Sequence, residues 1–193
     1  MRQRIAQLAA RLLAADGAQD FFLAKHKAAR QLGAGDTQNL PNNSEIEQAL
    51  RDYHALYQRD EQRERVRKMR SLALAAMHEL AAFDPHLTGA VLSGTATRYS
   101  GITLMLFTDS QKELELHLLN RNIPFKSAEK QYRFGDSLRS VPVYMITGGE
   151  HEGVEAVIFS TAALRHAPRH VGEGRPVDKA RRPEVEALLE VDC

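Results

Sequence analysis

Residues 92–107 read Leu-Ser-Gly-Thr-Ala-Thr-Arg-Tyr-Ser-Gly-Ile-Thr-Leu-Met-Leu-Phe, and this stretch decides the fold. It comprises an apolar segment, a Gly94-Thr95 turn, a short polar loop and a second apolar segment that follows Gly101. Short apolar segments bounded by glycine-containing turns are typical of β-strands. We therefore predict strands at 87–93 and 101–108, joined by a tight connection.

This strand–turn–strand pattern resembles the opening of the DNA polymerase beta-type nucleotidyltransferase superfamily. In that family a Gly-Ser turn is followed, after a longer loop, by Ser-Asp-Ile-Asp-Leu, and the two aspartates hold the divalent metal that carries the nucleoside triphosphate. Here Gly101 and Thr103 stand in place of the aspartates. The resemblance covers residues 87–160. Taken as a whole, the chain is similar to short uncharacterised bacterial proteins that are assigned to the nucleotidyltransferase group. It implies a nucleotidyltransferase scaffold without its metal ligands.

The family carries a third carboxylate on a later strand, and Glu155 within Val-Glu-Ala-Val matches that setting. Asp109 and Glu113, just beyond the second strand, are possible substitute catalytic carboxylates. Each has an ordinary alternative. Glu155 would face solvent on an alternating strand, while acidic residues are favoured at a helix N-terminus for capping and dipole reasons.

Two groups of residues are candidates for binding a nucleotide or phosphate. The resemblance implies the first group, which consists of Gly94, Thr95, Ser100 and Thr103. The second is a basic tail from Arg165 to Arg182, in which Arg175 and Lys179 lie beside glycines and prolines that would let guanidinium groups enclose a phosphate. The alternative interpretation of the tail is a solvated surface segment.

The fold class predicted is α+β, with a helical N-terminal region followed by a nucleotidyltransferase-like mixed sheet that has helices on one face. The domains predicted are 1–85, which contains a long helix over 44–82, and 86–193, which ends in the basic tail. Ser44 and Glu47 match a capping box at the start of the long helix. A bend or a break is expected at 59–63, where the residues are uniformly polar.

Further elements follow from spacing and turn residues. Ile5, Leu8, Leu12 and Ala15 predict a first helix ending at Asp16-Gly17, and a second helix is expected over 18–32. Phe21 and Phe22, beside basic residues of that helix, are expected in the core, although such a pair could also stack bases. Beyond the first two strands we predict a helix at 110–121, strands near 132–134, 140–147 and 154–160, and a last helix at 183–189.

Composition narrows the class of protein. The 193 residues include 26 basic and 25 acidic side chains, a net charge of +1, which argues against nucleic acid as a partner. The single cysteine, Cys193, permits no intrachain disulfide and no thiolate metal cluster. No apolar stretch approaches the roughly 20 residues needed to cross a bilayer, so a cytoplasmic protein without membrane contact is expected.

These observations favour a catalytically degenerate nucleotidyltransferase fold that binds a nucleotide, a protein partner or another copy of itself through the long helix. No cofactor is expected for such a protein. The enzyme alternative is an unorthodox nucleotidyltransferase that uses Mg²⁺, and it requires Glu155 to converge with Asp109 or Glu113. A third hypothesis is RNA binding through the basic tail and the second helix.

Overall fold

The computed structural model describes residues 1–15, 21–35, 37, 39–57, 59–148, 153–165, 168–169 and 176–191. It is an α+β protein in which helices precede a six-stranded mixed sheet, as the sequence predicts. The chain forms two compact units, Met1–Val66 with Gly94–Ser100, and Arg67–Ser93 with Gly101–Cys193. No helix within the described ranges is both long enough and apolar enough to cross a membrane.

The first unit is built from α1 (Arg2–Ala15), α2 (Phe21–Gln31), α3 (Asn43–Tyr57) and the first turns of α4 (Arg59–Glu79). α1 packs against both α2 and α3. Its core is rich in alanine and includes Ile5, Ala9, Leu12, Ala24, Ala28, Ile46 and Leu50. The first two predicted helices are therefore confirmed, while the predicted stop at Asp16-Gly17 lies outside the described residues.

The expectation that both phenylalanines of α2 are buried is wrong for one of them. Phe21 packs against the core, whereas Phe22 is 62% exposed. Consecutive residues of an α-helix point about 100° apart, so one face cannot bury both rings. Phe22 instead contacts the ring of His26, with 4.4 Å between the ring centroids.

The cap of α3 is formed two residues before the predicted capping box. The Glu45 N–H donates to Asn42 Oδ1 at 2.8 Å, and the Asn42 N–H donates to Glu45 Oε2 at 2.7 Å. Ser44 is not the N-cap because the helix already begins at Asn43. Glu45 also accepts from Arg2 of α1 at 2.7 Å, and this contact, followed by the bond from Asn42, lowers the pKa of Glu45.

The predicted helix 44–82 is present as α3 and α4, and residue 58 between them lies outside the described residues. Arg70, near the middle of α4, is only 5% exposed. Its guanidinium donates to the carbonyl oxygens of Val91 at 3.2 Å and Leu92 at 3.0 Å. A buried cation thus satisfies backbone acceptors at the end of a short helix, where no intrahelical donor remains.

The second unit contains the sheet. Its strands are β1 (His86–Thr88), β2 (Ile102–Phe107), β3 (Phe125–Phe134), β4 (Ser137–Ile146), β5 (Val154–Phe159) and β6 (Lys179–Ala180), arranged in the order β3-β4-β5-β2-β1-β6. β2 and β5 are parallel, and the other neighbouring strands are antiparallel. The helices of this unit are the remainder of α4, α5 (Gly89–Ser93), α6 (Gln111–Asn120) and α7 (Arg182–Val191).

The predicted strand 87–93 is wrong beyond Thr88, because the chain turns into the short helix α5. Gly89 has a φ of 75°, a conformation that ends the extended backbone of β1. The apolar run from Ala90 to Leu92 does not by itself distinguish a strand from a buried helical turn. Arg70 then stabilises the helical alternative by binding the carbonyls at its end.

The remaining sheet predictions are confirmed with adjusted ends. β2, β4 and β5 lie where strands were expected, and β3 begins earlier, at Phe125. Ser110 caps α6 by accepting from the Glu113 N–H at 3.3 Å. Pro142 lies just outside the part of β4 that pairs with β5, so the strand has only one neighbour there, as expected for proline.

One face of the sheet carries an aromatic core. Tyr132 meets Phe159 edge to face, with 5.1 Å between the centroids, and Phe107 stacks on Phe159 at 5.8 Å. Burial, with a smaller contribution from the negative charge of Glu155, raises the pKa of Tyr132 to about 12. The folded protein therefore favours the protonated phenol.

Removing the cap of α3 tests the corrected position of the capping box. We expect Asn42→Ala to lower the free energy of unfolding by about 1 kcal/mol, because a backbone N–H loses its acceptor. Ser44→Ala is the comparison, and it is expected to cost less because Ser44 lies inside the helix. Urea denaturation of both variants measures the difference, and equal losses would contradict this assignment of the cap.

Alkaline unfolding tests the burial of Tyr132. Since its folded pKa of about 12 exceeds the ordinary value of 10.0, its contribution to stability is complete below pH 10 and is lost as pH rises through 12. The stability difference between wild type and Tyr132→Phe should therefore shift by up to about 3 kcal/mol over that range. Urea denaturation at several pH values measures it, and a difference independent of pH would contradict the burial.

Candidate functional site

A row of polar side chains crosses the sheet from β5 to β6. The strand register aligns Glu155 with Thr103, Thr103 with Thr88, and Thr88 with Lys179. Aligned residues of neighbouring strands project from the same face, with the strands about 4.8 Å apart. These four residues, which we call the Glu155 row, therefore lie side by side. The row offers one carboxylate, two hydroxyl groups and one ammonium group.

The carboxylate of the row is already paired. Glu155 forms an ion pair and hydrogen bond with the Nζ of Lys130 from β3. The Glu155 side chain is 17% exposed and that of Lys130 is 50% exposed, so the pair is accessible from the surface. The charge of Glu155 is thus balanced within the protein, and its suggested solvent-facing position is correct only in part.

Gly101, which precedes the row on the chain, has little room for a side chain. A Cβ atom built there would lie 3.2 Å from the carbonyl oxygen of Gly153. That separation is closer than an ordinary van der Waals contact, so a carboxylate at 101 would require the backbone to move. Thr103, the second position of the pair, is half-buried and neutral.

The Gly94-Thr95 turn is enclosed by the first unit. Gln62 of α4 is buried, and its amide donates to the carbonyl oxygens of Gly94 at 3.0 Å and Ala96 at 2.8 Å. Thr95 is only 2% exposed. The turn therefore presents no open hydroxyl to a phosphate.

Ser100 is also engaged locally, because its hydroxyl accepts from the Thr97 N–H at 2.9 Å.

The glycine that directly follows β1 is Gly89, with its φ of 75°, and the sequence analysis did not single it out. The available signal was its position between the polar Thr88 and an apolar run.

Asp109 and Glu113 do not converge with Glu155. β2 and β5 run parallel with Thr103 beside Glu155, and Asp109 lies six residues beyond Thr103, a separation of roughly 20 Å at about 3.3 Å per residue. Asp109 accepts hydrogen bonds from the hydroxyl and N–H of Thr161, which lower its pKa. Glu113 is exposed in the first turn of α6.

Lys179 belongs to the row rather than to a phosphate loop. Its Nζ lies 4.6 Å from the ring centroid of Phe107, a cation–π contact. Burial and the neighbouring charge of Arg181 lower the pKa of Lys179. Arg175, the other tail residue proposed from sequence, lies outside the described residues.

Two other tail arginines do form a site. Arg165 and Arg169 line a surface cleft together with Phe134 and Arg139 of the β3–β4 hairpin. We call it the arginine cleft. Sequence reasoning placed Arg165 and Arg169 in a basic tail but missed Arg139, which lies 26 residues before Arg165 in the printed sequence. Only the pairing of distant backbone segments reveals it.

Among the residues that the structure describes, no three His, Cys, Asp or Glu side chains are grouped closely enough to hold a metal ion. The chain matches no model of a known protein family, and comparisons with curated proteins and with solved structures also find no match. The chemistry of the Glu155 row and of the arginine cleft is therefore the basis for assigning a function.

Crowding at Gly101 is open to a direct test. We expect Gly101→Ala to lower the free energy of unfolding by about 1–3 kcal/mol, because the new methyl group must displace the Gly153 carbonyl. Gly35→Ala is the matched control, since a Cβ there would lie 3.4 Å from the flexible side chain of Arg30. Chemical denaturation of the two variants measures the contrast, and a neutral Gly101→Ala would show that the carbonyl moves freely.

Proposed function

We propose that this protein is a catalytically degenerate relative of the nucleotidyltransferase superfamily that binds a nucleotide without metal-dependent transfer. The Glu155 row carries this proposal. Where the family has three carboxylates, the row and the preceding Gly101 supply only Glu155, and Lys130 neutralises it. The resemblance requires two strands, then a helix and further strands; β1, β2, α6 and β3 occur in this order, with the short helix α5 between β1 and β2.

The enzyme alternative has weaker support. Shared ligation of Mg²⁺ requires carboxylate oxygens within about 5 Å of one another, since each binds the ion at 2.0–2.6 Å. Asp109 and Glu113 lie toward the opposite end of β2 from Thr103, which is the neighbour of Glu155. An active site that combines them would need a rearrangement of the parallel strands.

Several expectations stay predictions. A protein partner or a homo-oligomer through the 44–82 region would cover Leu56 of α3, which is 76% exposed. A cytoplasmic location is likewise a prediction. Nucleotide binding is the form of the proposal that the chemistry of the second unit supports best.

Calorimetric titration with ATP, CTP, GTP and UTP, each with and without Mg²⁺, tests the proposal. We expect at least one nucleotide to bind, and we expect Mg²⁺ not to increase its affinity. The reason is that Glu155 is occupied by Lys130 and has no second carboxylate beside it. No transfer of a labelled nucleotide to an acceptor hydroxyl is expected.

Glu155→Gln should leave nucleotide affinity unchanged, as should the control Glu113→Gln at an exposed acidic position. A large gain in affinity with Mg²⁺ that disappears in Glu155→Gln but not in Glu113→Gln would contradict the proposal and favour the enzyme alternative. Failure of all four nucleotides to bind would remove nucleotide binding and leave a protein partner as the remaining form.

A further inference from the structure

The arginine cleft opens beyond the carboxyl end of β5, where Ser160 follows the strand. Its volume is about 680 Å³, within the range of about 300–1,000 Å³ typical of small-molecule sites. In sheets with parallel strands, ligands commonly bind beyond the carboxyl ends of those strands. Arg139, Arg165 and Arg169 line the cleft, together with Phe134 and Ser160.

Backbone contacts fix the arginines in place. Arg169 forms two hydrogen bonds with Arg133 of β3, its N–H donating at 2.8 Å and its carbonyl accepting at 3.0 Å. The Arg165 N–H donates to the Ala162 carbonyl at 3.2 Å at the end of a 3₁₀ turn. Arg139 is placed by its pairing with Tyr132 in the β3–β4 ladder. The positions are thus set by main-chain structure, while the guanidinium groups remain exposed.

The described lining of the cleft is rich in positive charge. Among the described residues that line it, three are arginines and none is acidic. Among the described residues, no ion pair or side-chain hydrogen bond involves Arg139, Arg165 or Arg169, and Arg139 rests against the Phe134 ring with its Cζ 5.4 Å from the centroid. By contrast, Arg2 and Arg121 have acidic partners, Glu45 and Glu79. Neighbouring like charges repel, and a bound anion relieves that repulsion.

We infer that this cleft binds the polyphosphate group of a nucleotide, with Arg139, Arg165 and Arg169 as its ligands. A guanidinium group presents paired N–H donors that match phosphate oxygens. The inference deepens the proposed function and rests on it for the identity of the ligand, whereas phosphate affinity follows from the cleft alone. Here the arginines supply the positive charge that a metal ion supplies in the family that this chain resembles.

This assignment explains why a carboxylate cluster is unnecessary. Ser160 is five residues beyond Glu155, so the cleft lies roughly 16 Å along the strand from the Glu155 row, at about 3.3 Å per residue. Excess Mg²⁺ should weaken ATP binding to the cleft, because the magnesium complex carries two fewer negative charges. Free ATP is expected to bind more tightly than its magnesium complex.

The test is calorimetric titration with sodium tripolyphosphate, ATP, adenosine and a short single-stranded RNA. Wild type is compared with Arg165→Ala/Arg169→Ala and with the charge-matched control Arg63→Ala/Arg67→Ala, whose arginines are exposed on α4. Tripolyphosphate and ATP should bind wild type and the control, and adenosine should not. The cleft variant should lose about 100-fold in affinity for both anions, since a charge-assisted hydrogen bond contributes about tenfold or more.

Circular dichroism establishes that each variant is folded. If the alanine variant unfolds, Arg165→Lys/Arg169→Lys keeps the charge but removes the paired donors, and a smaller loss of affinity is expected from it. Arg139→Ala is expected to lower the affinity for both tripolyphosphate and ATP, whereas the control Arg63→Ala/Arg67→Ala is expected to leave both affinities unchanged.

The outcomes separate the inference from the proposed function. ATP affinity that survives in the cleft variant overturns the cleft assignment and leaves nucleotide binding standing. Tripolyphosphate binding that depends on the arginines, with ATP, CTP, GTP and UTP all failing to bind, supports a phosphate site and overturns the nucleotide. A single-stranded RNA that binds more tightly than ATP, with affinity falling steeply with salt, overturns the choice of a small ligand. Failure of both anions to bind overturns the cleft assignment, and the proposed function falls with it only if CTP, GTP and UTP also fail to bind.

Discussion

The parallel pairing of β2 with β5 is the constraint on which the second unit depends. Six aligned pairs, from Ile102 with Val154 to Phe107 with Phe159, fix the positions of two separate chemical features. At one end the register sets Thr103 beside Glu155. At the other end, Ser160 directly follows β5 and lines the arginine cleft. Both features are positioned by the same strand pair. The register that leaves a single carboxylate in the Glu155 row therefore also keeps the arginine cleft away from that row.

Buried polar side chains stabilise the path that the chain takes between β1 and β2. Gln62 binds the carbonyls of Gly94 and Ala96, and Arg70 binds those of Val91 and Leu92. An unsatisfied backbone acceptor would be costly once buried, so these contacts stabilise the observed path of the chain. The segment whose sequence most resembles a nucleotide-binding turn is therefore occupied by the protein's own side chains.

Sequence patterns predicted most of the regular structure because local periodicity governs it. The helix around Ile5 and Leu12 and the strands β2 and β5 follow from spacing alone. Sequence failed where two structures share one pattern, as at 89–93, where an apolar run forms a helix only because Gly89 turns the chain and Arg70 binds its end. The cap of α3 was missed by two residues because Asn42 and Ser44 each precede a glutamate at the same spacing.

The candidate site was only partly predictable for a different reason. Alternation along strands places Thr103 and Glu155 correctly, but only the register shows that Asp109 is remote from both. The arginine cleft combines the β3–β4 hairpin with the segment after β5, and the pairing of Arg133 with Arg169 that joins them leaves no local signal. Long-range backbone pairing of this kind is set by the whole fold.

Crowding between position 101 and the Gly153 carbonyl also bears on how this chain can evolve. Any side chain at 101 would require the carbonyl of Gly153 to shift. Gly153 adopts a φ of 83°, which few other residues tolerate. Positions 101 and 153 are therefore coupled although they lie far apart in the sequence, and a larger residue at 101 is expected only together with a compensating change in the backbone at 153.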